Sequence, residues 1–135
     1  MDKATEMYKE IIDELANMSK DCADARGVKK GKLPGTDAEQ MGMNDILKKL
    51  NDTERDILAE LIIDVYHSGI YDTLEKLEWL RCCKNMELTV EGEKLPLDKY
   101  EGIPNDYIGR RSDWEWPEEI NFTEMAYGSW MDGAR

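Results

Sequence analysis

Four side chains able to bind a divalent cation recur at helical spacing near the middle of the chain. Asp56, Glu60, Asp64 and His67 are separated by four, four and three residues, so a helix would present them as one strip. In all-α nucleotide hydrolases, carboxylates from neighbouring helices bind Mg²⁺ or Mn²⁺. The strip predicts a site of this kind if a second helix supplies further carboxylates. The carboxylates available on a second helix are Glu10 and Asp13, or Glu75 and Glu78. The competing interpretation is a solvated helix surface, because a chain with 30 acidic residues aligns carboxylates by chance.

A second candidate site is a cluster of aromatic and arginine residues towards the C-terminus. Its members are Tyr107, Arg110, Arg111, Trp114 and Trp116. Because Trp, Tyr and Arg are the commonest hot spots of protein interfaces, the cluster predicts a binding surface for another protein. The alternative interpretation is that these side chains belong to the core, because a chain with one phenylalanine needs other large side chains to fill it. In that case Tyr107, Ile108, Trp114 and Trp116 would be buried around Trp79.

Other chemistries find little support in the sequence. The three cysteines, Cys22, Cys82 and Cys83, do not have the spacing of a zinc site, and His67 is the only histidine that could serve as a ligand or as the base of a nucleophile. The stretch from Gly27 to Leu33 lacks the glycine spacing, the hydroxyl residue and the preceding strand of a phosphate-binding loop. The sequence therefore predicts no cofactor.

Composition and charge limit the classes of partner. The chain has 135 residues, 30 of them acidic and 18 basic, which gives a formal charge of −12 at 41% hydrophobic content. This length and composition predict one domain, residues 1–135, with a hydrophobic core. The negative charge argues against direct binding to nucleic acid or to an anionic membrane surface and favours a protein partner with a basic surface. The polar N-terminus and the short apolar runs predict a cytoplasmic protein without a secretory signal or membrane span.

Hydrophobic periodicity predicts the elements that would position these residues. We expect a mainly α fold: a small four-helix bundle over residues 3–84, a short β-hairpin over 86–97, and an aromatic-rich, irregular C-terminal segment over 98–135 that packs on the bundle. The expected helices cover about 3–24, 37–50, 53–67 and 70–84, with a mobile basic loop from Arg26 to Gly35. Thr36 and Glu39 suggest a capping box, and Ser68-Gly69 a break between the last two helices. Both faces of the 70–84 helix should be covered, which would place it at the centre of the bundle.

These observations leave three hypotheses for function. The first is a small acidic protein that acts by protein–protein binding, of the inhibitor or immunity type found in bacteria and phages. The alternative is an all-α, Mg²⁺- or Mn²⁺-dependent hydrolase acting on a nucleotide-like substrate through Asp56, Glu60 and Asp64. The third is a homodimer in which apolar stripes of two copies pair.

Overall fold

The structure is a computed structural model, and it describes residues 1–120. It is mainly helical, as predicted, with a two-stranded antiparallel hairpin and an aromatic-rich C-terminal region. The elements in chain order are α1 (Lys3–Met18), α2 (Ala23–Lys30), α3 (Ala38–Leu47), α4 (Asp52–Lys84), β1 (Thr89–Val90), β2 (Glu93–Lys94) and α5 (Ile103–Arg111). A short 3₁₀ turn, Pro117–Glu119, follows α5. No helix within these 120 residues is both long and apolar enough to cross a membrane.

The N-terminal region contains two helices where the sequence predicted one helix and a loop. Helix α1 starts at the Asp2 cap, whose side chain accepts from the Thr5 amide, and it ends at Met18 rather than at residue 24. Helix α2 then occupies the first half of the stretch expected to be mobile, because Ala25 and Val28 are buried and Gly31 ends the helix at a φ of 81°. The glycine content predicted a mobile loop. This prediction was wrong because Ala25 and Val28, one turn apart, pack a two-turn helix against α4.

Helix α4 is continuous over 33 residues, so the predicted break at Ser68-Gly69 does not exist. It begins in a capping box formed by Asn51 and Glu54 and ends at Asn85 in the left-handed conformation. Gly69 lies in the exposed part of the helix, with open space where a side chain would be. A helical glycine costs only about 1 kcal/mol, which packing on both sides of Gly69 offsets.

The remaining boundaries differ from the prediction in smaller ways. Helix α3 is capped by Asp37, which accepts from the Gln40 amide, and not by Thr36. The hairpin is confirmed, and its turn residues Glu91 and Gly92 have φ values of 50° and 78°, as a two-residue hairpin turn requires. The segment predicted to be irregular contains α5, which starts with a proline in its first turn.

The core consists of two clusters that share α4. The larger joins α1, the C-terminal half of α4, the hairpin region and α5, and its buried members are Tyr8, Ile12, Ala16, Leu74, Leu95, Leu97, Ile103, Tyr107 and Trp116. The smaller joins α2, α3 and the N-terminal half of α4 through Ala25, Val28, Leu33, Leu47 and Ala59. Helix α4 is thus the central element. A central position was expected for residues 70–84, which form its second half. Other elements cover only part of the circumference of α4.

Candidate interaction surface

Two of the five residues predicted to bind a partner are part of the core. Tyr107 is 0% exposed and Trp116 is 1% exposed. The Tyr107 hydroxyl lies 2.7 Å from Nδ1 of His67, a bond that joins α5 to α4. In this structure neither aromatic ring is available to a partner, and both are buried, as the alternative interpretation expected, although not around Trp79.

The environment of Trp116 differs from the one expected around Trp79. The Trp116 ring packs edge-on against Tyr8 at 6.2 Å between centroids and lies 4.9 Å from the centroid of Tyr100. Trp79 is 45% exposed and Ile108 is 39% exposed, so neither belongs to this aromatic cluster. The expectation of burial around Trp79 was wrong because the tryptophan side chain lies on the solvent side of α4.

The two predicted arginines connect α5 to α1. Arg110 donates through Nε to Oδ1 of Asp13 at 2.5 Å and also donates to the Trp114 carbonyl. Arg111 donates to the hydroxyl of the buried Ser19 at 2.9 Å. Both arginines and Trp114 are half-buried. These contacts give the arginines a structural role, and whether Arg110, Arg111 and Trp114 also contact a partner stays a prediction.

A buried acid lies at the centre of the same region, and sequence reasoning did not single it out. Asp106 is 0% exposed, and its Oδ2 accepts a 2.5 Å hydrogen bond from the hydroxyl of Tyr8. Its Oδ1 accepts from the Glu101 amide at 3.0 Å. Burial raises the pKa of Asp106, and burial together with this carboxyl raises the pKa of Tyr8. The pair is enclosed by protein and joins α1 to α5, so we assign it to stability.

A buried lysine is held beside the same aromatic side chains. The Nζ of Lys9 lies 3.2 Å from Oε2 of Glu118 and 5.5 Å from the centre of the Trp116 ring. Glu118 also accepts from the Tyr100 hydroxyl at 2.6 Å. This hydrogen bond and the neighbouring lysine lower the pKa of Glu118 to about 2. The lysine therefore anchors the 3₁₀ turn on α1.

The predicted metal strip lies on α4 without the second helix that it would need. Asp56, Glu60 and Asp64 are exposed, whereas His67 contacts Tyr107. Glu75 and Glu78 cannot act as ligands from a second helix because they belong to α4 itself, and Asp13 is bound to Arg110. In residues 1–120 no three His, Cys, Asp or Glu side chains lie close enough together to hold a metal ion.

An apolar strip that belongs to the hydrophobic periodicity of the predicted 53–67 helix is exposed, although such a face is expected to lie in the core. Ile57, Leu61 and Val65 are 62%, 56% and 63% exposed, and they occupy consecutive turns of α4. Ala59 is completely buried because α2 packs on that side of the helix, whereas the side bearing Ile57 has no covering element in the described residues. Large apolar side chains aligned on one exposed face are unusual in a monomer and mark interaction sites.

Helix α3 carries further exposed apolar side chains. Met41, Met43 and Ile46 are all exposed. A groove of about 380 Å³ lies between α2, α3 and α4, and it is lined in part by Val28, Met43, Ile46, Leu47, Leu58 and Ile62. We use "α3–α4 face" for the six exposed side chains Met41, Met43, Ile46, Ile57, Leu61 and Val65, and "first groove" for this cavity.

A second groove continues the apolar surface towards α1. Its volume is about 400 Å³, and it is lined by Leu15 and Met18 of α1 together with Val65, Tyr66, Gly69 and Ile70 of α4, among others. Met18 is 47% exposed. Sequence periodicity found the apolar residues of both grooves but assigned them to the core, because it cannot show which side of a helix lacks a neighbour.

Comparison with known proteins places the chain in a family. No characterised protein and no solved structure matches it. Residues 1–118 match the pattern of a family of unknown function, DUF6547, and this range includes all five helices, the hairpin and both grooves. The chain belongs to the DUF6547 family.

Proposed function

We propose that this protein acts by binding another protein through the α3–α4 face, in the manner of a small inhibitor or immunity protein. The observation that carries the proposal is the strip formed by Ile57, Leu61 and Val65, each more than half exposed and each one turn from the next. Leaving each such side chain in water forgoes on the order of 1 kcal/mol or more of burial free energy. A partner that covers the strip would recover this free energy.

The grooves support a protein partner over a small molecule. Both are open, and together they flank α4 on an apolar surface where α3, α4 and α1 each contribute side chains. A shallow surface with projecting methionine and aliphatic side chains is typical of sites that accept side chains of a partner. The formal charge of −12 favours a partner with a basic surface, because electrostatic attraction accelerates their association.

Site-specific photocrosslinking in the native host tests the proposal. A photoreactive amino acid replaces Leu61 in one variant and Ile108, which is exposed on α5, in the control variant. We expect a discrete adduct with a second protein from position 61 and no such adduct from position 108. Absence of an adduct at position 61, or the same adducts from both positions, would overturn the proposal.

A further inference from the structure

The two grooves border α4 one after the other along its length, and we call the α4 residues that line them the track. The first groove is lined by Leu58 and Ile62, and the second by residues from Val65 to Leu74. The lining residues of α4 recur at intervals of three and four, so they share one face of the helix: Leu58, Ile62, Val65, Tyr66, Gly69, Ile70, Thr73 and Leu74. At 1.5 Å per residue this track is about 24 Å long, which is the length of a helix of about 16 residues.

The track is bordered by negative charge. Residues 52–75 of α4 contain seven carboxylates and one arginine, and that arginine, Arg55, is paired with Asp52. Glu54 and Asp72 are exposed, and they lie on the same side of α4 as the track because Glu54 is four residues before Leu58 and Asp72 three residues after Gly69. Asp24 of α2 is exposed in the wall of the first groove. The basic side chains of α2 do not line either groove.

From the track and its charge we infer that the occupant of the α3–α4 face is a cationic amphipathic helix of the partner protein. This inference rests on the proposed function and names the chemistry of the segment that binds. Apolar residues of such a helix, spaced at i, i+3, i+4 and i+7, enter the two grooves, while its lysine or arginine side chains meet Asp24, Glu54 and Asp72.

Charge also separates this occupant from a second copy of the chain. Antiparallel pairing of two α4 helices along the track would place the carboxylates that border the track of one copy near those of the other. Each copy carries a formal charge of −12, and like charges across an interface oppose association. A cationic helix instead gains attraction from the same carboxylates.

The test measures binding of defined peptides to the full chain by fluorescence anisotropy. The probe is a fluorescent 16-residue lysine–leucine peptide with leucine at heptad positions a and d. The comparison peptides are a glutamate–leucine peptide with the same leucine positions and a lysine–leucine peptide of scrambled order. We expect the amphipathic lysine–leucine peptide to bind at least about tenfold more tightly than either comparison peptide, because only it matches both the apolar track and its charge.

Paired variants of the protein locate the binding. Leu61→Ser with Val65→Ser, and separately Asp24→Lys with Asp72→Lys, should each weaken binding about tenfold or more. The matched control is Glu6→Lys with Glu10→Lys, an exposed i, i+4 pair on α1 with the same change in charge, and it should stay within about twofold of the parent. Circular dichroism and thermal melts establish that each variant is folded.

Each remaining outcome contradicts the inference. Equal binding of the glutamate or scrambled peptide, or equal loss in the Glu6 and Glu10 control, would show non-specific attraction to an acidic protein. A dimer in sedimentation equilibrium that dissociates with Leu61→Ser would identify a second copy as the occupant. Failure of the peptides alone overturns only the partner class, whereas failure of photocrosslinking at position 61 overturns the proposed function.

Discussion

The hydroxyl of Tyr8 donates a 2.5 Å hydrogen bond to Oδ2 of Asp106, across 98 residues of sequence and inside the core. Replacing Tyr8 by phenylalanine removes the donor and leaves a carboxyl oxygen in a buried site without it. We expect the free energy of unfolding to fall by about 1–3 kcal/mol, the cost of an unsatisfied buried polar group. Urea denaturation measures this change, and a loss below about 0.5 kcal/mol would show that the bond is not a stabilising contact.

The partial burial of His67 makes stability depend on pH. Burial, with a smaller contribution from Arg111, lowers the pKa of His67 below its usual 6.5. The folded state therefore favours the neutral imidazole, so its stabilising contribution is complete above pH 6.5 and is lost as the pH falls through the lowered pKa. Denaturation of the parent and of His67→Gln at pH 7.5 and pH 5 checks this. We expect the parent to lose more stability than the variant, and parallel losses would contradict the assignment.

Exposure of Leu61 has a direct consequence for stability. Because this side chain is 56% exposed, Leu61→Ala should change the free energy of unfolding by no more than about 0.5 kcal/mol. Leu74, 5% exposed on the same helix, is the matched control, and Leu74→Ala should cost about 2–5 kcal/mol. Similar losses for the two variants would mean that an element outside the described residues covers Leu61.

Truncation after Leu97 should prevent folding. The deletion removes Ile103, Tyr107 and Trp116 from the larger core cluster and leaves Tyr8 without its partner. Losing three large buried side chains exceeds the stability of about 5–15 kcal/mol that a domain of this size has. Far-ultraviolet circular dichroism and a thermal melt give the readout. A cooperative transition at the temperature of the full chain would show that the C-terminal segment is dispensable.

Divalent metal ions should leave the melting temperature unchanged. Asp56, Glu60 and Asp64 are exposed on a single helix, and a ligand stabilises the native state only if it binds that state selectively. Differential scanning fluorimetry with millimolar Mg²⁺ or Mn²⁺ measures the shift. A rise that disappears in Glu60→Gln would revive the hydrolase hypothesis in place of the binding function.

Sequence periodicity identified most of the helices because local spacing reflects which residues a helix can present together. It gave the apolar face of α1, on which Tyr8 and Ile12 are buried, and the hairpin turn at Glu91-Gly92. It failed where the outcome depends on neighbours. Gly69 does not break the helix because α4 is packed against other elements on both sides of it. Ile57 is exposed because nothing in the described residues covers it.

The sequence shows that the residues of the α3–α4 face are apolar, but their pattern predicts a place in the core. The cluster of aromatic and arginine residues predicted a binding surface that includes Tyr107 and Trp116. These two large side chains instead fill the interior. Five side chains of the α3–α4 face belong to the helical periodicity that predicts a core face, and their spacing is the same whether the partner is internal or external: Met43, Ile46, Ile57, Leu61 and Val65. The polar pair Tyr8–Asp106 could not be predicted, since its members meet only after the chain closes.

The two core clusters differ in how far along the chain their members lie. The smaller cluster uses residues from Ala25 to Ala59, whereas the larger one needs residues 8–16 to meet residues 95–116. Contacts between distant residues form later because closing a long loop costs more conformational entropy. We therefore expect folding to begin around α2 and the first half of α4 and to finish when α5 docks. The α3–α4 face would then be assembled before the core that contains Trp116 is complete.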